Sequence, residues 1–224
     1  MEEDCKYQQR LIGSAFPTES KPLLVSFFSK IMKWMGLGKW WQKSFYGLKM
    51  QVSLWHRQGE PLKALHAIFD WLTLHHFEKE GSQKWWYLMR MAVSLAQDLP
   101  VNKNDVNSDL IKKLEKMGNI APQPWQGFDV AYSFSMLSLW SLRQGKTQKA
   151  MEQVTIALHA DPNWGTPEYL LGCYGLLLEG IDPVVHFARA IKINGHYLQQ
   201  LNKDPLVAQY PDILQQVQKL VIGR

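Results

Sequence analysis

The chain has 224 residues, 46% of them hydrophobic, and a formal net charge of +5. That length and apolar content support one sizeable core or a short repeat array, and they argue against wholesale disorder. Two cysteines, Cys5 and Cys173, supply neither a disulfide framework nor a metal cluster and suit a reducing compartment.

Residues 1–20 read as a polar tail. Glu2, Glu3, Asp4 and Glu19 stand against Lys6 and Arg10. The opening MEEDCKYQQR is acidic and polar, so no secretory signal peptide is expected. No apolar run reaches the roughly 20 residues that span a bilayer. The longest, VAYSFSMLSLWSL and YLLGCYGLLL, read as buried helix.

Residues 21–44 form a basic, amphipathic helical segment, KPLLVSFFSKIMKWMGLGKWWQKS. From 21 to 49 the chain carries Lys21, Lys30, Lys33, Lys39, Lys43 and Lys49 and no acid. On a helix turning about 100° per residue, Ser26, Ser29, Lys30 and Lys33 fall within one arc. Leu24, Phe27, Phe28, Ile31, Trp34 and their neighbours fill the rest, and Gly36 and Gly38 then interrupt the helix. Lysine on one side with Trp, Phe and Leu on the other is the composition of an interfacial helix. On that reading Lys30, Lys33, Trp34, Lys39, Trp40, Trp41 and Lys43 face an anionic membrane surface or an acidic partner. The wide apolar arc equally describes a first core helix with solvated lysines, and both readings stay open. Tryptophan plus lysine also invites single-strand stacking. The run is too short and too apolar for that, so no specific nucleic acid is expected.

Residues 45–118 read as N-terminal helical repeats. FYGLKMQVSLWHRQGEPLKALHAIFDWLTL predicts a helix, a turn at Gly59, and a second helix opened near Pro61 with Ala64, Ile68 and Trp71 inward. KWWYLMRMAVSLAQDL and NSDLIKKLEKMGN suggest another pair joined by the polar loop PVNKND. His75 and His76 are adjacent, so on a helix they diverge by about 100° and cannot share a metal unaided. His75 with Glu78 makes a pair, not a catalytic site. Residues 119–130 then hold Pro122, Pro124 and Gly127 and read as a linker loop.

From 131 to 224 the pattern returns. Arg143-Gln144-Gly145 followed by Lys149-Ala150 repeats Arg57-Gln58-Gly59 followed by Lys63-Ala64, 86 residues earlier. Ala150, Val154, Ala157 and Leu158 recur at helical spacing, and Asp161-Pro162 stops that helix. EYLLGCYGLLLEG and IDPVVHFARAIKIN give the next pair, with a turn at Gly180, a start at Asp182-Pro183 and an inward stripe of Phe187, Ala190 and Ile191. Ala157 and Ala190 are 33 residues apart.

The stretch 131–194 resembles two tetratricopeptide repeats, whose period is about 34 residues. Leu137, Gly145, Ala150, Ala157 and Pro162 fall on signature positions of the first, and Leu171, Gly172, Phe187 and Ala190 on those of the second. Ser138, Ser141, Gly175 and Asn194-Gly195 depart from the pattern. The resemblance implies an all-α chain, a right-handed solenoid of helix pairs with the N-terminal amphipathic helix before it. The tail HYLQQLNKDPLVAQYPDILQQVQKL would be a C-terminal capping helix. An irregular helical bundle with a pseudo-repeat is the alternative fold.

In that family the groove lined by first helices binds a peptide or helix of another protein. The resemblance puts Tyr132, Ser135, Leu139, Leu142, Tyr169, Cys173 and Leu176 there, with Lys49, Ser53 and His56 at comparable places upstream. The later pair lacks the lysines and asparagines that grip a C-terminal carboxylate, so an apolar or aromatic ligand helix fits better. The competing reading covers these residues with the chain's own C-terminal helix. No HExxH, glycine-rich phosphate loop or GxSxG is present. The sequence therefore points to a cytoplasmic, non-catalytic interaction adaptor without cofactor or metal. The alternative is a peripheral membrane-associated factor working through residues 21–44.

Overall fold

A computed structural model describes residues 44–75, 82–98, 106–119 and 125–223, and among these described residues the fold is all-helical, with ten α-helices and one 3-10 turn. No strand occurs among the described residues. They fall into two compact units, with the change at Trp125, inside the proline- and glycine-rich stretch. None of these helices is long and apolar enough to cross a membrane.

The N-terminal unit holds α1 (Phe45–Arg57), α2 (Pro61–His75), α3 (Ser82–Asp98) and α4 (Val106–Asn119), each packed on the next. Ser44 caps α1, its Oγ accepting the Gly47 N–H at 3.1 Å. The chain reverses at Gly59, whose φ of 75° is left-handed and free of steric cost only for glycine. Ala64, Ile68 and Trp71 face inward as the spacing predicts, joined by Leu65, Phe69 and Leu72. Trp85 of α3 is completely buried, and its indole N–H donates to the Leu72 carbonyl at 3.2 Å. That bond satisfies the one polar atom of a ring whose removal would cost ~3–5 kcal/mol.

The C-terminal unit holds α5 (Phe128–Arg143), α6 (Thr147–Ala160), α7 (Thr166–Leu177), α8 (Pro183–Ile193), α9 (His196–Leu201), a 3-10 turn (Val207–Gln209) and α10 (Pro211–Ile222). The linker expected to run to residue 130 ends earlier, because Gly127 at φ 93° already turns the chain into α5. Its N–H donates to the Ala160 carbonyl at 2.7 Å and ties the start of α5 to the end of α6. From Val130 to Ser141 every side chain of α5 is buried, as in a helix surrounded on all sides. Three of its four buried serines are accommodated by hydrogen bonding, whereas the buried Ser135 hydroxyl has no partner. Ser133 donates to the Asp129 carbonyl and Ser138 to the Ser135 carbonyl, while Ser141 donates to Gln153 on α6 at 2.7 Å.

Small residues bring these helices together. Ala150, Val154 and Ala157 of α6 are fully buried, and α5 and α6 form one hairpin. In the second hairpin Gly172 leaves room for Phe187, since a Cβ there would lie 2.5 Å from the ring. Asp182 caps α8, its Oδ1 accepting the Val184 and Val185 N–H groups, and Pro183 opens the first turn. α7 packs on α5 and α6 as well as on α8.

The tail departs from the single helix expected of it. Pro205 and Pro211 cannot continue helical bonding, so it divides into α9, the 3-10 turn and α10. α9 and α10 both pack on α8.

Candidate functional site

The expected groove residues sit on α5 and α7, and most are sealed in the core of the C-terminal unit. Tyr132, Ser135, Leu139, Tyr169 and Cys173 are buried, whereas Leu142 and Leu176 are half-buried. Each tyrosine has a physical reason to be inward. Tyr132 stacks on Trp164, which follows the Asp161-Pro162 stop, with ring centres 6.0 Å apart and planes at 20°, and Phe128 packs beside both. Tyr169 lies between Phe187 at 5.3 Å and Tyr197 at 5.7 Å, and its hydroxyl donates to Asp204 Oδ2 at 2.6 Å. An open groove lined by these five side chains is therefore not what the structure presents. Upstream, Ser53 is buried and donates to the Lys49 carbonyl, while Lys49 and His56 are half-buried. Lys30, Lys33, Trp34, Lys39, Trp40, Trp41 and Lys43 lie outside the described residues.

A second set of polar contacts in the C-terminal unit was not foreseen from the sequence. Glu168, in the first turn of α7, is buried and faces α8. Its Oε2 lies 2.6 Å from His186 Nδ1, and its Oε1 lies 3.8 Å from Arg189 Nη1. Asp204 accepts both the Tyr169 hydroxyl and the Leu206 N–H, so its buried carboxylate is bonded on both oxygens. Because the Ser138 hydrogen is given to the Ser135 carbonyl, the Tyr174 hydroxyl is the donor in its 2.9 Å bond to Ser138 Oγ. Tyr197 shares a 2.7 Å hydrogen bond with Thr166, and burial pushes its hydroxyl above the ordinary pKa, with the Thr166 bond opposing. The side-chain to side-chain hydrogen bonds among them join residues 18 to 36 positions apart, beyond the reach of any local pattern.

Chemically, the set orders helices. Its carboxylates are directed at a hydroxyl, an imidazole, a guanidinium and a backbone N–H group. Among the described residues no group of three or more His, Cys, Asp or Glu side chains is arranged to hold a metal ion. Cys173 is buried and in no disulfide. The surface still available along the expected groove is Leu142 and Leu176, with Leu177 beside them at 41% exposure. No protein-family model, curated protein or solved structure matches the chain.

Proposed function

We propose that the chain is a non-catalytic adaptor whose helix pairs, tetratricopeptide-like in their repeat, hold an apolar helical segment of another protein in the cytoplasm. The reading rests on the recurrence of one hairpin recipe. Three helix pairs turn at Gly59, Gly145 and Gly180, each at a positive φ, and α7 packs against the preceding pair as well as its own partner. Helix pairs cannot bury their apolar faces alone, and stacking of successive pairs is the arrangement by which repeat proteins do so. Such stacks serve as extended binding surfaces without a catalytic centre.

The partner surface on this reading is the accessible part of the first-helix face, Leu142 and Leu176 with Leu177. Half-exposed leucines on ordered helices can anchor an amphipathic partner helix. The test uses the tagged full chain, with co-purified proteins and thermal melting measured on the same samples. Leu142→Glu with Leu176→Glu should remove the co-purifying partner and leave the melt in place. Tyr169→Phe should do the reverse. It removes the donor to buried Asp204, costs ~1–3 kcal/mol and lowers the melt while the partner is retained. An unchanged set of co-purified proteins for the leucine variant would count against the adaptor reading.

A further inference from the structure

Asn194-Gly195, the pair that breaks the repeat pattern at the end of α8, forms the turn into α9. Both residues are exposed. Of the chain's asparagines only Asn194 precedes a glycine. The backbone nitrogen after an asparagine can attack the side-chain amide carbon, and a side chain on that next residue hinders the approach. Gly195 has none, and the space where its Cβ would stand is open. Its N–H donates no hydrogen bond among the described residues, so the proton is accessible to hydroxide. Asn194 Oδ1 accepts the His196 N–H at 3.0 Å, which draws electron density from Cγ.

The backbone holds this reaction back. Asn194 is extended, and its ψ of 115° turns the Gly195 nitrogen away from the side chain. The Asn194 carbonyl accepts the Tyr197 N–H at 3.0 Å, a bond that fixes this ψ. Attack on Cγ requires rotation about ψ, and the rotation breaks that bond and lifts the first turn of α9. With six residues α9 is too short to be stable alone, so its position depends on docking. The docking is narrow. Tyr197 is buried against Gly165, where an added Cβ would lie 2.5 Å from the tyrosine Cε2, and its hydroxyl shares the 2.7 Å bond with Thr166.

We propose that Asn194 is a deamidation site whose reaction with water is gated by release of α9 from its docked position. Once α9 lifts, the deprotonated Gly195 nitrogen forms a bond to Asn194 Cγ. The Cγ–Nδ2 bond breaks, ammonia leaves, and a five-membered cyclic imide remains. Water then opens the imide at either carbonyl. Opening at Cγ gives aspartate, and opening at the main-chain carbon gives isoaspartate, in which the main chain runs through Cγ. The sum is amide plus water to carboxylate plus ammonia, with no change of oxidation state. Either product places a negative charge beside the C-terminal carbonyls of α8, where it is unfavourable. Isoaspartate also adds a methylene to the main chain between α8 and α9, which takes Tyr197 out of register with Gly165. The modification therefore makes a transient release of α9 permanent.

The experiment incubates the full chain at neutral and mildly alkaline pH, well below its melting temperature. Digestion and mass spectrometry with fragmentation that distinguishes isoaspartate follow. Both products should form at residue 194, faster at the higher pH. Exposed Asn163 and Asn202, which precede Trp164 and Lys203, are internal controls and should stay intact. Gly195→Ala should abolish the conversion without lowering the melt, since Gly195 has an ordinary helical φ of −54° and room for a methyl group. Tyr197→Phe should raise the rate at residue 194 by ~5-fold, the factor by which losing one ordinary hydrogen bond shifts an opening equilibrium. Converted chains should show faster amide exchange at Tyr197 and Leu198. A sample unfolded in urea gives the ungated rate. A native chain that does not convert, or whose controls convert as fast as residue 194, overturns the site. A native chain that converts at the urea rate, or a Tyr197→Phe rate equal to that of the wild type, overturns the gate.

Discussion

Replacing Gly172 by alanine tests how closely α7 and α8 meet. The added Cβ would lie 2.5 Å from Phe187 Cδ1 and Cε1 and 2.9 Å from Cγ, well inside contact distance. The ring cannot swing aside freely. It is fully buried and packs on Tyr169, whose hydroxyl is bonded to Asp204. Relief must come from separating the helices, and overpacking of this kind costs ~1–3 kcal/mol. Alanine returns up to ~1 kcal/mol through better helix propensity. Three ring atoms in conflict put the clash in the upper part of its range, so the net loss should be ~1–2 kcal/mol. In a unit of roughly 100 residues that is a fall of ~4–16 °C in melting temperature. The two units need not melt together, so hydrogen exchange of α7 and α8 amides under rising urea is the suitable assay. Adding Phe187→Leu should recover part of the loss, giving a coupling of ~0.5–3 kcal/mol in a double-mutant cycle. A Gly172→Ala protein that gains stability, as an exposed helix glycine would, refutes the close contact.

Two further outcomes follow from the same unit. Asp182→Ala removes the cap that accepts the Val184 and Val185 N–H groups and should cost ~1 kcal/mol, read as faster exchange in the first turn of α8; unchanged exchange there would deny the cap its role. Tyr197 should make stability fall in strong alkali: its hydroxyl pKa is raised by burial, so its contribution is full below the ordinary value of 10.0 and lost as pH rises through the folded value. The difference in urea midpoint between the wild type and Tyr197→Phe should therefore shrink above about pH 10, and a difference that stays constant would contradict the burial account.

The turns were legible because their causes are local. Gly59, Gly145 and Gly180 each stand between two helical patterns and adopt the positive φ that favours glycine there. Asp161-Pro162 and Asp182-Pro183 carry their stop and start signals within two residues. The tail was misjudged as one helix although Pro205 and Pro211 were in plain view, because an apolar period survives across breaks in the backbone. The groove stayed open between two readings for a different reason. Periodicity says which side chains share a face of a helix and nothing about what later covers that face. Tyr169 has the spacing of a first-helix inner residue, and its hydroxyl meets Asp204, 35 positions on, in a turn with no local mark of that role. Glu168 likewise finds His186 across 18 positions.

Function on such a fold is therefore better sought in what remains exposed against expectation than in register with a family pattern. A leucine kept in water on an ordered helix loses burial worth ~1.5–3 kcal/mol that a core position would supply. Leu74 at 76% exposure forgoes nearly all of that, within one turn of a packed Trp71. The inward Tyr132, Leu139, Tyr169 and Cys173 give up nothing of the kind, since burial already rewards them within the chain. The same reasoning bears on the proposed partner surface. The Leu142 and Leu176 face is half-covered, so a partner helix packed there would complete a core that the chain leaves partly open.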